Sequence, residues 1–252
     1  MVSRRMVLGA GLGTLALVSA GGVWRVRRMP QTAHGPWQLD GDVPEDVRLD
    51  AFRHAILAPN PHNRQPWLIR LIGENEAEIS CDLDRRLPVT DPFDRQITIG
   101  FGAFLEIARI AAAQRGFTME TAPFPDGEAQ PRLDENPVAR LKFVKSEKPE
   151  TDLLFSTITQ RRSNKQVYDL SRTVRDIQLE TIAIAGGSYS ADPDLVGKLR
   201  EQILAAMDIE MTTPQANMES VELMRIGYEE IDANPDGISL SGPMIEAGKL
   251  AG

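Results

Sequence analysis

Ten consecutive residues, Ala58-Pro59-Asn60-Pro61-His62-Asn63-Arg64-Gln65-Pro66-Trp67, have the makings of a ligand loop. Two prolines, Pro59 and Pro61, fix much of the backbone, so the loop is stiff before any ligand arrives. Asn60, His62, Asn63 and Gln65 offer several donors and acceptors within six residues. A planar heteroaromatic ring with alternating donors and acceptors along one edge suits such a loop. The same residues also read as a Pro-rich turn capped by Asn, with Trp67 anchoring a following strand.

A second cluster follows at Gln160-Arg161-Arg162-Ser163-Asn164-Lys165. Arg161, Arg162 and Lys165 supply three cations; Ser163 and Asn164 supply neutral hydrogen bonds. Arginine forks match phosphate oxygens bidentately, and lysine acts as a point charge. In a chain of net charge −8 this is a local phosphate-site candidate. It also reads as a basic helix C-terminus complementing the dipole, or as a solvated run.

Little else carries obvious chemistry. Cys81 is the one cysteine, so no intramolecular disulfide and no thiolate metal cage can form. His34, His54 and His62 lack zinc-type pairing, so no metal site is expected. The acidic balance disfavours a nucleic-acid partner.

The elements that must position these residues can be read from periodicity. Leu49, Phe52, Ala55 and Ile56 predict a helix over residues 46–57, stopped by Pro59 and Pro61. Residues 67–72 and 78–83 predict two strands joined through Gly73-Glu74-Asn75. Ile97, Phe101, Phe104, Leu105, Ala108 and Ala112 predict a helix over 95–115, closed by Gly116. Its Gly100-Phe101-Gly102-Ala103 stretch predicts close approach of another backbone. Residues 122–137 read as a Pro-rich loop and 138–144 as a strand. Helical patterns then fill 151–161, 175–185, 193–211 and 216–232, with residues 182–185 also readable as a short strand. The order predicts an α+β fold with a boundary near residue 150.

The N-terminus reads as a targeting segment. Arg4-Arg5 precedes a mildly apolar Gly/Ala/Leu/Val run from residue 7 to 23, the layout of a twin-arginine signal. An uncleaved membrane anchor is the alternative, since about 20 apolar residues can span a bilayer. Residues 1–30 are therefore assigned to the signal or anchor, and 31–45 to a Pro/Gly/polar linker. Export by the twin-arginine machinery is expected, to the periplasm or to the outer side of the membrane. Lack of disulfides in an exported chain fits folding completed in a reducing compartment.

The string Ala58-Pro59, His62-Asn63, Gln65-Pro66-Trp67 resembles the flavin loop of the nitroreductase superfamily, above all its tandem, Acg-like branch. That branch typically has Ser where this chain has Asn60. Asp84-Arg85-Arg86-Leu87-Pro88, Asp91-Pro92, Arg95 and residues 100–106 are also similar to it, and Arg161-Arg162-Ser163 resembles the element that holds the FMN phosphate in nitroreductases. The resemblance implies an FMN site built from Pro59, Asn60, His62, Asn63, Gln65 and Pro66 with Arg161, Arg162, Ser163, Asn164 and Lys165. It implies that Asn63 and Gln65, or neighbouring backbone groups, hold the ring edge, and that the cations favour anionic reduced flavin. No side chain need act as catalytic acid or base; His62 would donate a proton or only shape the loop.

In single-domain nitroreductases the Arg-Arg-Ser element precedes the Pro-rich loop. Here the order is reversed, with roughly a hundred residues between. Family members are homodimers whose subunits share the flavin, so the reversal implies two fused halves, residues 46–149 and 150–252. Each contributes one part of a single flavin site, as a monomeric pseudo-dimer or a homodimer. The branch usually continues beyond the 237–243 stretch, so the second half is expected to be incomplete. The implied activity is transfer of electrons from NAD(P)H through FMN to a small-molecule acceptor, a nitroaromatic or a quinone. The alternative is a flavin-binding or storage protein without turnover, and a third is a remnant that binds nothing.

Overall fold

The computed structural model describes residues 29–39, 41–147, 151–164, 167–169, 171–184 and 186–251. The twin-arginine segment, the expected boundary at 149/150 and Lys165 lie outside the described residues. The chain forms two compact units. One comprises the chain up to Arg161 together with Glu219–Gly252; the other is Arg162–Met218.

The first unit is built on a four-stranded antiparallel sheet, β1 (Trp67–Ile72), β2 (Glu76–Cys81), β3 (Phe117–Pro123) and β4 (Ala139–Lys145), in the order β1-β2-β4-β3. One sheet face carries Ala77, Ile79 and Cys81 of β2 and Ala139, Leu141 and Phe143 of β4, all buried. Alternation sends the opposite set outward. There Glu78 faces Arg70 of β1 and Arg140 of β4 in register. Both guanidiniums bond its carboxylate, Arg140 Nη2 at 2.6 Å.

Two helices cover the apolar face. A short helical turn, α1 (Gln31–His34), comes first, in the segment read as a linker. Its backbone N–H groups at Gln31 and Thr32 bond the Asp232 carboxylate, at 3.1 and 2.8 Å. Helix α2 (Val47–Ala55) begins at Asp46, whose carboxylate accepts the Arg48 N–H at 2.9 Å, the N-cap bond that orphan helix donors require. Val47, Ala51, Phe52 and Ala55 form its buried stripe. Arg48, almost fully buried, donates to Ile72 O, Gly73 O and Glu76 O, tying α2 to the β1–β2 hairpin. Helix α3 (Arg95–Gln114) buries Ile97, Phe101, Phe104 and Ala108. Phe52 stacks on Phe104 and meets Phe143 edge-on, each at 6.0 Å between ring centroids, which locks α2, α3 and β4 together. Helices and an antiparallel sheet give the expected α+β class.

From Glu219 the chain returns to this unit. After α6 (Pro214–Glu222) it forms β5 (Met224–Ile226), α7 (Tyr228–Ala233), β6 (Ile238–Leu240) and α8 (Pro243–Ala251), with β5 and β6 parallel. Glu219 accepts from Val89 N, Thr90 N and Thr90 Oγ1, holding the loop ahead of α3.

The second unit contains α4 (Asp176–Ile184) and α5 (Pro193–Thr212). Helix α5 has a full set of start signals: Asp192 accepts the Leu195 N–H at 2.8 Å and Pro193 opens the first turn. Leu195, Leu199, Ile203, Leu204 and Met207 along it are exposed.

Three expectations differ from the structure. Strand β3 occupies residues 117–123, mostly where the sequence predicts no element, and only its last two residues overlap the 122–137 stretch read as loop. It is an edge strand whose only buried residue is Met119, and its Phe117/Met119 alternation is too short to announce a strand. The helical pattern over 216–232 is interrupted by β5, a three-residue strand formed through non-local pairing with β6. The pattern over 151–161 yields only a 3-10 turn, Leu153–Thr157.

Candidate functional site

The Pro-rich loop leaves α2 as its last turn closes, with Leu57 N bonded to His54 O and Ala58 N to Ala55 O. A 3-10 turn, Pro61–Asn63, sits in its middle and β1 begins at Trp67. The loop backbone is unusual. His62, Asn63 and Gln65 have φ of 46°, 50° and 50°, the left-handed region that non-glycine residues rarely enter. Such conformations cost of order 1–3 kcal/mol each and persist only where surroundings over-determine them.

Here the surroundings do. Asn60 Oδ1 accepts the Gln65 N–H at 2.8 Å, while Asn60 Nδ2 donates to Ala58 O at 3.1 Å. Asn60 thus spends its side chain bracing the loop from within. Beneath it lies Gly100 of α3. A Cβ there would stand 3.2 Å from Asn60 Cβ and 3.6 Å from Pro59 O. The small residue expected to admit another backbone therefore does so, and what it admits is this loop. Pro66 is buried, its carbonyl accepting from Asp82 N at 2.9 Å. Trp67 packs edge-on against Phe101 at 5.1 Å and beside Phe104 at 5.0 Å; its buried Nε1 has no hydrogen-bond partner among the described residues.

A second set of pins comes from the C-terminal segment. Arg64 Nη1 pairs with Asp236 at 2.8 Å, Gln65 Nε2 donates to Pro235 O at 2.8 Å, and Gly237 N donates to Asn63 O at 3.3 Å. Arg64 and Arg85 exchange bonds: Arg64 Nε donates to Arg85 O and Arg85 Nη1 to Arg64 O. Arg225 Nη2 reaches the other Asp236 oxygen at 2.8 Å. Gly237 has φ of 78°, and a Cβ on it would meet Leu223 O at 2.3 Å, so only glycine fits the turn. Asp236 and Gly237 were not among the expected site residues. Asn234-Pro235-Asp236-Gly237 does announce a turn, but nothing local says what the turn touches.

The bonds decide which groups remain open to a ligand. Asn60 and Arg64 are committed to the loop. Among the described residues, the exposed Asn63 side-chain amide makes no hydrogen bond and Gln65 Oε1 accepts none. Pro59 is exposed, and His62 is half-buried in the left-handed turn. An amide donor-acceptor pair beside a second acceptor, on a rigid backbone, fits the edge of a flavin-like ring.

The basic cluster divides at the unit boundary. Arg161 belongs to the first unit: its Nη2 donates to Leu57 O at 2.6 Å, and its guanidinium lies over the Trp37 ring at 5.6 Å from the centroid. It thereby satisfies a carbonyl at the end of α2, the bond that basic residues give helix C-termini. Arg162, Ser163 and Asn164 belong to the second unit and are exposed. The structure thus brings Arg161 to the root of the Pro-rich loop.

Loop motifs nearby prove structural. Asp91 accepts Arg95 N at 2.9 Å and Ile97 N at 3.0 Å, capping α3. Asp94, fully buried and left-handed at φ 52°, accepts Leu133 N at 3.0 Å and faces Arg86 at 3.6 Å. Cys81 is buried; burial first, then the nearby Asp94 charge, push its thiol up to about 12.

No family model matches the chain. Over 88 residues, 34% of the chain, it is 39% identical to "Putative NAD(P)H nitroreductase acg" of Mycobacterium tuberculosis strain H37Rv. Over 137 residues, 53% of the chain, it is 28% identical to "Putative NAD(P)H nitroreductase Rv3131" of the same strain. The matches cover 26% and 38% of those relatives' lengths. Over part of its length, then, this α+β chain is similar to proteins named as NAD(P)H nitroreductases.

Proposed function

We propose that the protein is an FMN-dependent oxidoreductase of nitroreductase type. The observation that carries this reading is the Pro59–Pro66 loop, with three left-handed non-glycine residues held by bonds from Asn60, Pro235, Asp236 and Gly237. Such strain clusters at functional elements, and three strained residues fall within this one short loop. Similarity to proteins named as nitroreductases supports the same reading.

FMN, when bound, supplies the hydride chemistry between NAD(P)H and a nitroaromatic, quinone or similar acceptor. The chain supplies binding and orientation. Pro59, Asn60 and Pro66 set the loop's shape. The Asn63 amide and Gln65 Oε1 face the ring edge, and His62 shapes the turn beside them. Arg162, Ser163, Asn164 and Lys165 hold the phosphate, by the fork geometry and charge of those side chains. Arg161 braces the loop's root through Leu57 O. The two-half arrangement, as a pseudo-dimer or homodimer, is proposed on the reversed order of the two motifs in the sequence. Export through the twin-arginine route is proposed on the Arg4-Arg5 segment alone.

A second reading, flavin holding without turnover, is favoured by one observation. The 235–237 turn is bonded to Asn63, Arg64 and Gln65, the residues beside the ring edge. Access of a second substrate to the ring would then be restricted.

Purified protein distinguishes these readings. A yellow flavin spectrum, bleached anaerobically by NADPH or NADH and restored by a quinone, is the expected result. A yellow protein that is not bleached supports holding. A colourless protein that takes up no FMN overturns both.

A further inference from the structure

We propose a second small-molecule site, for an aromatic carboxylate, in a cavity beside the N-terminal turns of α3. The cavity has a volume of about 590 Å³ and is lined by Phe93, Arg95, Thr98, Ile99, residues 128–131, Arg132 and Leu133. This size lies within the roughly 300–1,000 Å³ typical of ligand pockets.

The cavity is distinct from the Pro-rich loop. At about 100° per residue, Arg95, Thr98 and Ile99 project from the side of α3 away from Gly100, the residue that packs under Asn60. The site therefore stands whether or not the loop binds flavin.

Its walls carry apolar surface without cover. Phe93 is 59% and Ile99 73% exposed, both large side chains on a segment otherwise well anchored by Asp91 and Asp94. Pro131 and the buried Leu133 continue the apolar lining.

Its charge selects an anion. The Arg95 guanidinium makes no ion pair or hydrogen bond among the described residues. Arg132 pairs with Asp94 only at 3.5 Å through Nε. About a third of the Arg132 side chain stays accessible, so its outer face is open to a carboxylate in the cavity while Nε leans on Asp94. Glu128 is the one acid in the lining, so cations exceed anions there. The helix N-terminus takes no part, because Asp91 already caps it. Two cations beside Phe93, Ile99 and Leu133 match a carboxylate carried on a planar apolar body.

The test is calorimetric titration of the full chain with 2-naphthoate, with neutral 2-naphthamide as control. We expect one-to-one binding of naphthoate and at least about tenfold weaker binding of the amide, the scale of a charge-assisted hydrogen bond. Arg95→Gln and Arg132→Gln should each weaken naphthoate binding by about tenfold or more. Because Arg132 also faces buried Asp94, Ile99→Glu provides a variant outside that network, and it should abolish binding while leaving the unfolding midpoint unchanged. Absence of naphthoate binding to the parent chain, equal binding of the amide, or undiminished binding by Ile99→Glu would overturn the proposal.

Discussion

Arg64 and Asp236, 172 positions apart in sequence, form a 2.8 Å ion pair with both side chains largely buried. Arg225 occupies the other Asp236 oxygen and Arg85 stands 3.7 Å away, so one carboxylate gathers three guanidiniums. Asp236→Ala leaves Arg64 and Arg225 without this counter-charge, while Arg85 keeps Asp82 at 3.3 Å, and a loss of about 1–3 kcal/mol of stability is expected. Asp236→Asn, which keeps an acceptor, should lose less. Urea unfolding measures both. A parental midpoint in Asp236→Ala would mean that the C-terminal segment does not brace the loop.

Gly100 and Asn60 make the contact most sensitive to a single added carbon. Alanine is ordinarily better than glycine in a helix by about 1 kcal/mol. At Gly100 its Cβ would press on Asn60 Cβ at 3.2 Å, so the loop must shift by a few tenths of an ångström. Gly100→Ala is therefore expected to leave thermal stability near the parent value and to weaken FMN binding. Titration followed by quenching of flavin fluorescence reads this directly. Parental affinity would show that the loop position is not what a flavin requires.

Arg161 and Arg162 are adjacent, yet their expected phenotypes differ. Arg161→Ala removes the donor to Leu57 O and exposes the Trp37 face, which should cost about 1 kcal/mol of stability. Arg162 is exposed, so Arg162→Ala should leave stability unchanged and lower FMN affinity if it holds the phosphate. Paired unfolding and flavin-retention measurements test the contrast. Unchanged flavin retention in Arg162→Ala removes the phosphate role.

Local signals carried much of this architecture. The α2 and α3 stripes were legible because Phe52, Phe101 and Phe104 recur at helical spacing on faces that are in fact buried. The ligand loop was legible because its prolines and amides are consecutive. What the sequence hid is non-local. Nothing near Asp236 indicates Arg64, and nothing near Glu219 indicates Thr90, since each bond joins segments over a hundred residues apart. Asn60 was expected to face a ligand, but an amide two residues from Ala58 and five from Gln65 finds backbone partners first. Arg161 shows the same competition: an unsatisfied helix carbonyl at Leu57 takes its guanidinium.

Asp46 sets an acid limit on α2. The Arg48 guanidinium, bonded to its carboxylate, holds it below the usual carboxylate range against the opposing effect of burial, and the Arg48 N–H adds a smaller lowering. A carboxyl lowered in the folded state stabilises at pH above its unfolded value, about 3.9, and loses that contribution as pH falls through the folded value. The parent chain should therefore lose more stability than Asp46→Asn between neutral pH and roughly pH 3. Parallel acid profiles of the two proteins, followed by circular dichroism, would contradict the assignment.

Cys81 gives a chemical readout of the strand beneath the ligand loop. It is the chain's one cysteine, 3% exposed, and pairs in register with Trp67, the residue that ends the Pro-rich loop. With its thiol pushed up to about 12 by burial and by Asp94, it has almost no thiolate at neutral pH. Alkylation by iodoacetamide should therefore proceed only through opening of the β1–β2 core, and rapidly in denaturant. A ligand that binds the folded loop raises the cost of that opening by mass action. Saturating FMN should thus slow Cys81 alkylation in the parent chain, and slow it less in Arg162→Ala at the same FMN concentration. Fast labelling in native buffer would show the strand pair to be open, and slow labelling indifferent to FMN would separate the loop from the flavin altogether.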